Sequence, residues 1–125
     1  FILNKNTTLF NVTPINTVCV ALIKLVDNDF PILSKKIENI PLNINNFSLI
    51  FSVRKKYSCN CPILTIKINN DVVYSNIIRN EDYWINKDIE VFNNSSTINI
   101  EFILSNKYAR KTPCILLDNI QINYI

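Results

Sequence analysis

The stretch FSLIFSVRKKYSCNCPILTIKI, residues 47–68, decides the fold. Within it Leu49, Phe51 and Val53 fall on one side of an extended chain, with Ser48, Ser52 and Arg54 on the other. After a polar interruption the alternation resumes: Leu64, Ile66 and Ile68 face one way, Thr65 and Lys67 the other. A period of two over two runs predicts two half-buried strands that share one core. The loop between them holds Cys59, Cys61 and most of the basic cluster Arg54-Lys55-Lys56.

Working outward, the chain continues in the same style. Residues 1–16 form a Thr/Asn-rich extended arm, with a first strand near residues 7–12 stopped by Pro14. Residues 17–26 make a stronger strand, in which Cys19, Ala21, Ile23 and Leu25 line one face. Val18, Val20 and Leu22 make its other face apolar too, so the strand is either central and covered or exposed for a partner. A short strand follows at residues 30–37.

Asn69-Asn70-Asp71 is a hairpin turn leading into residues 72–78. Residues 83–92 alternate imperfectly around Trp84, Asn86, Lys87 and Glu90. Residues 97–104 alternate most cleanly, and 114–125 form the last strand. About nine strands at a spacing of ~8–12 residues mark an all-β antiparallel sandwich or barrel. No stretch shows helical periodicity, and no linker divides residues 17–125, which are expected to form one domain behind the arm.

The 125 residues suffice for one core. The absent residue types narrow the chemistry: the chain has no histidine, no glycine and no methionine. Without histidine, Ser-His-Asp and Cys-His catalysis are gone, and with them the usual base at neutral pH. Without glycine there is no phosphate-cradling loop, and turns that need positive φ fall to asparagine or aspartate. Composition therefore argues against an enzyme and calls for no cofactor. The net charge of +3 is modest and the basic clusters Arg54-Lys55-Lys56 and Arg110-Lys111 are short, too little for a nucleic-acid face. No apolar run is long enough to insert into a membrane as a helix. The chain opens on Phe1, which suggests a mature product or a piece of something longer.

The segment NFSLIFSVR (46–54), then LTIKINNDVV (64–73), a Tyr83-Trp84 strand, STINIEF (96–102) and the closing ILLDNIQI (115–122) follow one another in a telling order. In this the chain resembles the galactose-binding-like jelly rolls found in carbohydrate-binding modules and other bacterial surface domains. The resemblance covers about the last three-quarters of the chain and leaves residues 1–16 outside. It implies a jelly-roll β-sandwich, and it implies that Asp118 is a structural acid at a bulge or strand end, hydrogen-bonded to backbone. It carries a fold rather than a function.

Among residues with chemistry, Cys59-Asn60-Cys61 is the most specific signal. Cysteines at i and i+2 of an extended chain point the same way near the upper limit for a disulfide, so a bond between them would be strained. Three readings stay open. Cys59 and Cys61 bridge to Cys19, Cys114 or neighbouring subunits; the cysteines hold a soft metal; or the four thiols only pack. Missing histidine and the absence of Cys-x-x-Cys spacing weigh against metal. Tyr57, Tyr74, Tyr83, Trp84 and Tyr108 are candidates to stack on sugar rings, each set against a packing role. Asp27-Asn28-Asp29 lacks the remainder of a calcium loop.

Two functions follow as expectations. One is a non-catalytic bacterial cell- or spore-surface subunit that self-assembles with copies of itself through strand edges, the N-terminal arm and intermolecular disulfides. The other is a carbohydrate-binding module, or a receptor-binding lobe of a larger secreted protein, with glycans as partners. Both place the protein outside the cell.

Overall fold

A computed structural model of the chain describes residues 2–3, 7–12, 17–23, 32–41, 43–55, 62–81, 83–106 and 114–124. Side chains are described from residue 32 onward, except those of residues 106, 114 and 124. The described residues form ten strands: β1 (Ile2–Leu3), β2 (Thr7–Val12), β3 (Thr17–Ile23), β4 (Ile32–Ile37) and β5 (Asn46–Lys55). They continue with β6 (Pro62–Ile68), β7 (Asp71–Ile77), β8 (Ile85–Phe92), β9 (Ile98–Asn106) and β10 (Cys114–Tyr124).

Two five-stranded sheets result, ordered β1-β4-β9-β6-β7 and β2-β3-β10-β5-β8. Every neighbouring pair is antiparallel. β5 and β6, the pair in the opening stretch, do not hydrogen-bond to one another. They lie in different sheets and face each other through the core. Residues 1–16, expected as an arm, contribute β1, which pairs with β4, and β2, which pairs with β3.

The buried side chains are the ones the alternation selects: Phe47, Leu49, Phe51 and Val53 on β5, Leu64, Ile66 and Ile68 on β6, and Ile98, Ile100, Phe102 and Leu104 on β9. Phe51 stands at the middle, edge-on to Phe102 of the opposite sheet at 5.6 Å between ring centroids and to Tyr74 at 5.9 Å. Edge-to-face pairs of this kind contribute ~0.5–1.5 kcal/mol beyond burial.

Positive φ falls on Asn39, Asn69, Asn70 and Asn119, asparagine in each case among the described residues. Asn69 (φ 49°) and Asn70 (φ 70°) form the two-residue β6–β7 turn between the paired Ile68 and Asp71. Two successive left-handed residues give the twist that matches paired strands. No helix of the described residues is long and apolar enough to cross a membrane.

Candidate functional site

One side of the sandwich is where the edge strand of each sheet, β7 and β8, meets the other across an unsealed gap. Register shows why the gap stays open. On β8, Ile85, Lys87, Ile89 and Val91 pair with Val53, Phe51, Leu49 and Phe47, so these four turn inward with the core residues of β5. On β7, Tyr74 and Asn76 pair with Ile66 and Leu64 and turn inward as well. Four of these six positions, Ile85, Ile89, Val91 and Tyr74, are apolar or aromatic; Lys87 and Asn76 are not. An ammonium and an amide cannot enter the core unpaired, so the layers part there and water enters.

The resulting cleft has a volume of ≈ 260 Å³, just below the ~300–1,000 Å³ usual for small-ligand sites. Its floor is Val53, Ile78 and Ile85, and its polar rim comes from Asn76, Arg79, Asn80, Tyr83 and Lys87. Tyr83 lines the cleft and is 63% exposed. Tyr74 shares the lining but is half-buried against Phe51.

The rim is tied down. Asn80, buried in the β7–β8 connection, donates through Nδ2 to the Val53 carbonyl at 2.8 Å and to the Tyr83 carbonyl at 2.9 Å. Its own carbonyl accepts from the Lys55 amide at 2.8 Å. Two bonds fasten Asn80 to β5 and a third ties it to Tyr83 within the same connection, so the cleft is formed before a ligand arrives.

The other expected site residues lie elsewhere or outside the described residues. Trp84 sits just before β8 rather than within a strand, half-buried on the outer face of the second sheet. The Arg54 guanidinium lies over its ring at 5.0 Å, occupying one face of the indole. Arg54 Nε is buried without a hydrogen-bond partner, so the stack is the interaction that holds it. Asp118 is buried beside the β10 bulge, its Oδ1 accepting the Asn119 amide at 2.8 Å. It pairs in register with Ser52, also buried, whose hydroxyl donates to Asn86 Oδ1 at 2.6 Å.

Tyr57, Tyr108, Cys59 and Cys61 lie outside the described residues. Cys19 and Cys114 are placed by backbone alone. Cys114 pairs with Ile23, four residues along β3 from Cys19. Roughly 13 Å of strand separates the two backbone positions, against the ~7 Å span of a disulfide. No metal-binding cluster of three or more acidic or cysteine side chains occurs among the described residues.

A second cleft of ≈ 400 Å³ opens at the other end of the same edge, near the exposed Phe92. Two of its amides are already engaged. Asn69 Nδ2 donates to Asn93 Oδ1 at 3.2 Å, Asn69 Oδ1 accepts the Asn99 amide at 2.8 Å, and Asn93 Nδ2 donates to the Ser95 carbonyl at 2.7 Å. These groups close turns, while Asp71, Asn94 and the exposed Phe92 also line the cleft.

Sequence reasoning singled out Tyr83 and missed Asn76, Arg79, Asn80 and Lys87. The available signal was Lys87 itself, a charge at a position where the period of two calls for an aliphatic residue. Asn80 carried none, because its burial depends on a loop folding back over β5.

No protein-family model and no curated protein matches the chain. Solved structures do. A family 61 carbohydrate-binding module, TmCBM61, solved with β-1,4-galactotriose, superposes with a TM-score of 0.67 at 13% identity, over 99% of this chain and 86% of that one. The CBM22-1 xylan-binding domain of Paenibacillus barcinonensis Xyn10C gives 0.59 at 12% identity, over 99% and 85%. A family 4 carbohydrate-binding module gives 0.56 at 9% identity, over 97% and 96%. The fold is therefore a jelly-roll β-sandwich similar to those of these carbohydrate-binding modules.

Proposed function

We propose that the protein is a non-catalytic glycan-binding module, acting outside the cell, that seats sugar residues in the β7–β8 edge cleft. The observation that carries this reading is the exposed Tyr83 in the lining of a cleft that also carries amides and cations. A sugar ring offers an apolar face of C–H groups and a periphery of hydroxyls. A fixed aromatic face with hydrogen-bonding groups around it complements both. The size of the cleft suits a single sugar residue or a chain end. The similarity of fold to modules solved or named with galactan and xylan ligands supports the same reading.

Assembly through strand edges and an N-terminal arm gains no such support. β1 and β2 complete this chain's own sheets, and Lys87 places an ammonium inside the β8 edge, where it opposes pairing with another edge.

Affinity electrophoresis and a glycan array spanning galactans, xylans and their acidic counterparts test the proposal. Binding is expected, with Tyr83→Ala weakening it about three- to tenfold, the worth of one aromatic contact. A Tyr83→Ala variant that binds like the parent would show that the cleft is not the site.

A further inference from the structure

We infer that the cleft selects anionic sugars, those bearing a carboxylate or sulfate, over neutral ones. The inference rests on the glycan-binding reading and specifies its ligand class. Among the described residues the lining carries two cations, Arg79 and Lys87, and no carboxylate. Neither cation makes an ion pair among the described residues. Glu81, in the same loop, is not part of the lining. Asp88 and Glu90 pair with Ile50 and Ser48, which puts them on the outer face of the sheet.

The placement of Lys87 makes this more than a surface charge. It shares its side of the sheet with Phe51, so its stem covers the core and its ammonium reaches the cleft from within. It is half-buried, whereas Arg79 is exposed at the rim. A ligand that fills the cleft takes water from the ammonium, and an anionic group on the sugar restores what the cation loses. The planar guanidinium suits two-point contact with a carboxylate or sulfate, while the Tyr83 ring takes the sugar face. An inward lysine on an edge strand also deters aggregation, but that role predicts no preference among ligands.

Calorimetric titration of the protein with galacturonic acid oligomers, sulfated galactan fragments and neutral galactan oligomers, at about 50 mM and about 500 mM salt, tests the inference. An anionic ligand is expected to bind about tenfold tighter than the neutral one at low salt, with the advantage shrinking at high salt. Arg79→Gln with Lys87→Gln is expected to abolish the advantage, lowering the anionic affinity to the level of the neutral one while the neutral affinity falls far less. Whichever anion binds tighter identifies the source of the charge, and either outcome supports the inference. Equal or tighter neutral binding, or a preference that survives the double variant, overturns it while leaving glycan binding in place. Failure to bind any sugar overturns both. Should the double variant not fold, Arg79→Gln alone, at an exposed position, gives the same comparison.

Discussion

A single residue type sets the local geometry of this chain. Without glycine, every left-handed position among the described residues is an asparagine, whose short amide tolerates that region and, at Asn69, also bonds to groups far along the chain. Asn69 shows both parts: φ is 49°, its Oδ1 accepts the Asn99 amide, and its Nδ2 reaches Asn93 and the Thr97 carbonyl. The two contributions separate by mutation. Asn69→Gly keeps the backbone free and loses only the side-chain bonds, at about 1 kcal/mol. Asn69→Val adds the left-handed penalty of a branched side chain, about a further 1–2 kcal/mol. Urea denaturation of the three proteins should show stability falling from parent to Gly to Val; a Gly variant as stable as the parent would mean that the amide network contributes nothing. The demand for asparagine at such turns was legible in the composition. Which asparagines answer it was not, because the side-chain bonds join residues about 30 positions apart.

At the level of elements, β7, β8 and the connection between them turn a sandwich edge into a site. The period of two locates both strands from sequence within one or two residues. It also marks Lys87 as out of place, though only the register with Phe51 shows that the lysine faces inward. Pairing partners were less legible. β5 and β6 read naturally as neighbours, yet the chain crosses between sheets after Lys55, since both strands bury one face in the same core. Asn80 locks the connection by donating to two carbonyls. Asn80→Asp replaces that donor with an acceptor facing the same two oxygens, and it is expected to lower unfolding stability by about 1–3 kcal/mol. It should also weaken glycan binding, because the segment bearing Tyr83 comes loose. Denaturation and titration of the variant check this together; lost stability with unchanged affinity would show that the rim needs no fastening.

For the molecule as a whole, the order of the motifs predicted the jelly roll, and the two antiparallel sheets and their similarity to solved modules agree with it. The cleft was not legible at that scale. It arises from inward positions on two strands at the borders of different sheets, which only the assembled sandwich brings side by side. Three surfaces compete to be the binding face: this cleft, the cleft beside Phe92 at the other end of the same edge, and the outer face of the second sheet, where Arg54 covers Trp84 and Ser52 pairs with Asn86. Amide chemical shifts from a ¹⁵N-labelled sample titrated with galacturonic acid and galactan oligomers distinguish them most directly. The account predicts perturbations concentrated at Asn76, Arg79, Asn80, Tyr83 and Lys87. Shifts confined to the outer-face residues Ser48, Ile50, Asn86, Asp88 and Gln121 or to the cleft beside Phe92, or no shifts with any sugar, would contradict it.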